Sequence, residues 1–141
     1  MSCVERALPK VPQSSPQVLG QPVIGVVDDD PSVLKALGRL MRSAGFDAVT
    51  FTSAEDFLAR FQQRALACVV LDIHLGGMSG LDLQAYLADA GIRLPIVFIT
   101  AHDDAATRER VEHCGQVYLR KPVDENCLLG AITSLLNQAK T

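Results

Sequence analysis

From residue 22 onward the chain alternates short apolar runs with longer amphipathic stretches, five times over. The runs are Val23-Ile24-Gly25-Val26-Val27, Ala48-Val49-Thr50-Phe51, Ala67-Cys68-Val69-Val70-Leu71, Pro95-Ile96-Val97-Phe98-Ile99 and Val117-Tyr118-Leu119. Short runs rich in Val and Ile, without polar alternation, predict strands covered on both faces. The stretches between them predict helices. Asp30 is placed to cap the first, with Pro31 at its first helical position and Val33, Leu34, Leu37, Leu40 and Met41 along one side. Ser53, with Asp56 three residues on, opens the second, whose apolar stripe is Phe57, Leu58 and Phe61. The third runs from Gly80 to about Ala90 and carries Leu81, Leu83, Tyr86 and Leu87. The fourth, from about Asp103 to His113, is the most polar, and the fifth, from about Asp124 to Asn137, buries Leu128, Leu129, Ile132, Leu135 and Leu136. Five strands alternating with five helices predict an α/β fold, a parallel sheet with helices on both faces and right-handed crossovers. In such open sheets the working site lies beyond the carboxyl ends of the strands.

Composition narrows the picture. A chain of 141 residues holds one compact domain, expected over residues 22–138, with a flexible Pro/Ser/Gln-rich tail over 1–21 and a short tail over 139–141. With 48% hydrophobic and 21% charged residues the chain is neither disordered nor fibrous. Its formal net charge of −3 argues against a general nucleic-acid binder, which needs a basic face. Cys3, Cys68, Cys114 and Cys127 are widely spaced with no CxxC pair, and the apolar runs fall far short of a membrane span or signal peptide. The expectation is a reduced, cytoplasmic protein.

The chemistry stands at the strand ends. The first strand finishes in Asp28-Asp29-Asp30, the third in Asp72, the fourth in Thr100 and the fifth in Lys121-Pro122. Each residue alone has an ordinary explanation: Asp30 as a helix cap, an Asp as a turn former, a Thr in the core, a Lys in solvent. Caps and turns do not require a matching Thr and Lys, and the fold brings Asp28, Asp29 and Asp72 to one pole with both. Three clustered carboxylates are costly without a cation, and an all-oxygen site of this kind suits Mg²⁺.

In the stretches VVDDDPSV (26–33), VVLDIHLGGMSGLDL (69–83), IVFITA (96–101) and YLRKPV (118–123), the chain resembles the receiver domain of two-component response regulators. It is most like receivers that precede helix-turn-helix output domains. The resemblance implies a flavodoxin-like (βα)5 sheet of order 2-1-3-4-5. It also implies that Asp72 is the phosphoacceptor, taking its group from a phosphohistidine of a sensor histidine kinase or a phosphotransfer protein. Asp29, Asp72 and the backbone carbonyl of His74 then hold Mg²⁺ directly, with Asp28 acting through water. Lys121 and Thr100 contact phosphoryl oxygens, and Lys121-Pro122 is a candidate cis peptide. Thr100 and Tyr118 form the switch, read out on the surface of the fourth helix, fifth strand and fifth helix, with phosphorylation-dependent homodimerisation as one outcome. The domain catalyses only its own phosphorylation and dephosphorylation, and contacts neither nucleic acid nor membrane.

The chain departs from the family in having Cys114-Gly115 where Gly-Ala is usual, which puts the bend into the fifth strand in question. Cys114 beside His113 reads as a neutral substitution rather than a redox sensor. His74 and His102 flank the phosphoryl position as modulators, and neither has zinc-ligand spacing. Two other classes compete. A small Mg²⁺-dependent Asp-nucleophile phosphatase wants a second Asp where this chain has His74, and a phosphate-blind pseudo-receiver predicts loss of an acid, the Thr or the Lys. No output segment follows the fifth helix, which leaves a standalone receiver and a receiver cut from a longer regulator both open. Asp28, Asp29 and Asp72 together equal the whole formal charge, and a divalent cation with Lys121 neutralises them.

Overall fold

A computed structural model describes residues 21–102, 104–114 and 116–140, the side chains of 139 and 140 apart. The tail expected over 1–21 falls outside them except for Gln21, as does Gly115, which follows Cys114. The elements are β1 (Val23–Val27), α1 (Pro31–Ser43), β2 (Asp47–Phe51), α2 (Ala54–Arg60), β3 (Leu66–Asp72), α3 (Gly80–Asp89), β4 (Ile96–Thr100), α4 (Ala105–Cys114), β5 (Val117–Arg120) and α5 (Glu125–Lys140). The five strands are all parallel and lie in the order β2-β1-β3-β4-β5, the flavodoxin-like 2-1-3-4-5 topology.

The helix starts follow local chemistry. Asp30 accepts a hydrogen bond from Ser32 N at 2.9 Å, with Pro31 as the first helical residue of α1. Ser53 Oγ accepts from Asp56 N at 2.9 Å, and Asp56 in turn accepts from Thr52 N at 3.1 Å, a reciprocal cap on α2. Arg60 clasps Asp56 at 2.8 Å and lies over the Phe51 ring at 4.7 Å. Its hydrogen bond holds the Asp56 carboxyl down at about 2.

Period-2 alternation divides the core. Ile24, Val26, Cys68, Val70, Val97 and Ile99 face one side with Leu34, Leu37 and Met41 of α1 and Leu128 and Ile132 of α5. Val27, Val69, Leu71, Ile96 and Phe98 face the other with Phe57 of α2, Leu81, Leu83 and Leu87 of α3, and Val111 of α4. Handedness accounts for this sorting. Only the β1-to-β2 step runs toward the β2 edge, so right-handed crossovers send α1 to one face and α2, α3 and α4 to the other. That single reversal lies between β1 and β3, where the site is expected.

The central strands β3 and β4 are buried along most of their length, as their apolar runs predict. The edge strands β2 and β5 are only partly covered, because an edge has a neighbour on one side alone. The polar α4 buries Val111 as its single core residue, which is why its sequence carries so weak an apolar stripe. No described helix is long and apolar enough to cross a membrane.

Candidate functional site

Strand register assembles the site. Val27 pairs with Leu71, so Asp28 follows β1 level with Asp72 at the end of β3. Asp72 pairs with Ile99, and Thr100 pairs with Arg120, so Thr100 and then Lys121 stand one step further out. Strand alternation sets direction as well. Val26, Val70 and Leu119 share the α1/α5 face, and Asp28, Asp72 and Lys121 lie two residues beyond them with the same parity. Phe98 and Tyr118 lie on the opposite face, and Thr100 has their parity. The acids and the lysine are thereby separated from the two hydroxyls before any tertiary contact is considered.

The carboxylates of Asp28, Asp29 and Asp72 have ligand oxygens within 4.8 Å of one another. Asp28 is fully buried and Asp72 nearly so, whereas Asp29 is open to solvent. Lys121 Nζ donates to Asp28 Oδ2 at 2.9 Å and to Asp72 Oδ2 at 3.3 Å. The opposite oxygen of each acid is held by backbone: Asp30 N donates to Asp28 Oδ1 at 2.9 Å, and His74 N donates to Asp72 Oδ1 at 3.1 Å. The Lys121-Pro122 peptide is cis, as the family resemblance implied.

The electrostatics are those of a crowded acidic pocket. Burial, and then the charge of Asp28, push the Asp72 carboxyl above the ordinary carboxylate range, although Lys121 and the His74 N–H oppose them. Burial works against the charge on Lys121, but its hydrogen bond to Asp28 and the charges of Asp72 and Asp28 outweigh this and raise its ammonium above the usual value. One cation thus serves two buried anions and is closer to Asp28. The donor set fits a hard divalent ion: three carboxylates, all oxygen, one of them solvent-exposed.

Thr100 is fully buried and turned away from this cluster. Its hydroxyl donates to the His102 carbonyl at 3.0 Å and accepts from His102 N at 3.0 Å. Tyr118 Oη donates to the same carbonyl at 3.4 Å. The sequence-based expectation that a hydroxyl faces the acids therefore holds for position and not for the orientation of the group: Thr100 and Tyr118 converge on the β4–α4 loop. The His74 and His102 rings meet edge to face at 4.6 Å, a contact their separate positions in sequence did not suggest. Cys114 Sγ lies 3.2 Å from the Arg110 carbonyl and 3.2 Å from Gln84 Oε1, away from the carboxylates. Burial pushes the Cys68 thiol up to about 12, so it stays protonated and unreactive.

Two further residues shape the pocket without entering it. Gly80 opens α3 with its N–H donating to the Ile73 carbonyl at 2.9 Å. A Cβ at Gly80 would overlap the Asp72 carbonyl oxygen and press on Ile73 Cα. Backbone cannot swing aside as a side chain can, so Gly80→Ala is expected to cost about 1–3 kcal/mol in urea denaturation and to displace Asp72; unchanged stability would contradict this close approach. Glu55, in the first turn of α2, accepts from Met78 N at 3.3 Å in the β3–α3 loop. In sequence it reads only as an acid favourable to a helix N-terminus, and nothing local announces the loop contact.

The sequence pattern of the family described as response regulator receiver domain matches residues 24–133. The response regulator protein TmoT of Ectopseudomonas mendocina is 42% identical over 118 residues, covering 83% of this chain and 54% of that protein. The chain spans about half the length of the curated relatives it matches. Among solved structures, the response regulator StyR superposes with a TM-score of 0.77 at 42% identity, over 84% of this chain and 61% of that one. A response regulator receiver protein from Burkholderia phymatum does so with a TM-score of 0.73 at 40% identity, over 83% and 96%.

Proposed function

Because the chain belongs to the response regulator receiver domain family, we propose that it accepts a phosphoryl group on Asp72 from the phosphohistidine of a sensor histidine kinase or a phosphotransfer protein. The observation that carries this reading is the pole where Asp28, Asp29 and Asp72 lie within 4.8 Å of one another and Lys121 bridges Asp28 and Asp72. A receiver needs a nucleophilic carboxylate, acids for a divalent ion and a fixed cation for phosphate, and these side chains supply all three.

Asp72 attacks phosphorus in line through a carboxylate oxygen. A P–O bond forms as the P–N bond of the donor breaks, and the imidazole leaves with the electron pair. Asp72 must be ionised to attack, and Lys121 opposes the burial and the Asp28 charge that favour its proton. Asp29, Asp72 and the His74 carbonyl would hold Mg²⁺, with Asp28 acting through water. When bound, the ion would offset oxygen charge on the transferring group. Lys121 then shifts from Asp72 to a phosphoryl oxygen as a point charge.

Thr100 leaves the His102 carbonyl to donate to another phosphoryl oxygen, and Tyr118 gives up the same acceptor. Since both hydroxyls share one carbonyl, their release frees the β4–α4 loop and alters the surface of α4, β5 and α5. Phosphate selects between the two arrangements by its differential contacts with them. The receiver unit occupies residues 22–138 and acts in the cytoplasm, and its signal passes to an output domain or partner protein.

Treating the chain with acetyl phosphate and Mg²⁺ is expected to add one group of about 80 Da in intact mass spectrometry. A phosphate-blind interaction module predicts no adduct where another receiver labels, and a phosphatase predicts sustained turnover without stoichiometric labelling; either result overturns the proposal.

A further inference from the structure

We propose that Glu55 is a positioning residue for the divalent-cation site, acting from α2 through the β3–α3 loop; this deepens the receiver reading above and rests on it. The loop leaves β3 at Asp72, passes His74, whose carbonyl is assigned there as a cation ligand, and re-enters helix at Gly80. Its early part is anchored by the fold. Ile73 N donates to the Ile99 carbonyl at 3.0 Å, and Ile73 and Leu75 are buried in the core with Ala54 and Phe57 of α2. Its later part, Gly76 to Met78, lies outside that core or only at its margin.

Glu55 meets the loop at this later part. Its Oε2 accepts from Met78 N at 3.3 Å, and the same oxygen lies 3.1 Å from where a Cβ on Gly77 would stand. Gly77 has φ +80°, so a side chain there is strained by the backbone conformation, and the Glu55 carboxylate approaches closely enough that it would have to give way. Glu55 is not needed to cap α2, because Ser53 and Asp56 already do so. With the buried anchor at one end and Glu55 at the other, the segment between Asp72 and Gly80 is held at both sides, and the His74 carbonyl is oriented before the ion arrives. Losing the Glu55 contact leaves the ion to order the loop on binding, at a cost in affinity.

Two variants of the full chain separate a hydrogen bond from a charge. Glu55→Gln keeps an acceptor oxygen for Met78 N and loses the charge, while Glu55→Ala loses both. Titration calorimetry with Mg²⁺ alone is expected to show about three- to tenfold weaker binding for Glu55→Ala, the range for one intramolecular hydrogen bond. Near-parental binding is expected for Glu55→Gln. Without Mg²⁺, the Met78 amide is expected to exchange hydrogen faster in Glu55→Ala while β4 keeps its protection, which a general loss of fold would not spare. Equal weakening in both variants would show that charge matters and not the contact, and would overturn the proposal, as would unchanged binding in both. If the unaltered chain binds no Mg²⁺, the receiver reading of the pocket falls and this proposal with it; Mg²⁺ binding that is identical in parent and Glu55→Ala overturns this proposal alone.

Discussion

Asp72→Asn is expected to abolish the acetyl phosphate adduct and, at the same time, to make the protein more stable at neutral pH in the absence of divalent ions. Asp72 is almost wholly buried beside a wholly buried Asp28, and burial followed by the Asp28 charge holds its carboxyl above the ordinary range. An acid whose folded-state value is raised contributes its full stability only below the unfolded value, near 3.9, and that contribution is lost as pH rises through the folded value. At pH 7 an ionised Asp72 is therefore a liability to the fold. Asn removes the charge and keeps the shape. It weakens the longer 3.3 Å bond from Lys121, which retains its 2.9 Å bond to Asp28. The gain is expected to appear as a higher thermal midpoint at pH 7. Melting curves from pH 3 to 8 in EDTA should show the advantage shrinking toward zero in acid, where the parent carboxyl also carries its proton. A variant less stable than the parent across that range would refute this account of the pocket, and continued labelling would refute Asp72 as the acceptor.

Lys121→Ala carries the largest expected loss. Removing the ammonium leaves Asp28 and Asp72 as adjacent buried carboxylates, and uncompensated buried charge is far costlier than the pair was beneficial. Complete loss of one partner in a fully buried pair costs about 3–5 kcal/mol. Lys121 is partly exposed, with 23% of its side chain accessible, and water can enter where it stood, so about 2–3 kcal/mol is expected in urea denaturation at pH 7. The sign of the linkage is the same as for Asp72, a raised value, but its window lies in alkali. The Lys121 contribution is present throughout the neutral range, since its raised value lies above the ordinary 10.5; its own titration removes it only in strong alkali, while protonation of Asp72 weakens it from the acid side. Millimolar Mg²⁺ should narrow the gap between Lys121→Ala and the parent, because the same acids gain another cation. A deficit that ignores both Mg²⁺ and acidification would mean that Lys121 acts through packing of its methylenes and not through charge.

Much of this architecture is legible residue by residue along the chain. Asp30-Pro31 and Ser53 with Asp56 announce helix starts because capping involves neighbours within one turn. The Val- and Ile-rich runs announce central strands because burial on both faces excludes polar residues. The family pattern supplies Asp28, Asp29, Asp72, Thr100 and Lys121 together, and the structure gathers the three acids and the lysine into one cluster. Other features are less legible. α4 shows little apolar stripe because it rests on Val111 alone. The partial exposure of β2 and β5 depends on which strands have two neighbours, which their own sequences do not encode.

By itself, the sequence determined the element order, the helix caps, the alternation that divides the two faces of the sheet, and the identity of the charged residues at the strand ends. These are short-range matters of periodicity and capping. The opening observation, five apolar runs separated by five amphipathic stretches, becomes a definite site only through strand register. Only the tertiary structure decided that Lys121 sits nearer Asp28 than Asp72, that Thr100 and Tyr118 share the carbonyl of His102, that His74 and His102 touch, and that Glu55 reaches Met78. Each of these joins residues from different elements over a few ångströms. Their distances depend on register and packing summed over the whole sheet, quantities that no local stretch of sequence contains.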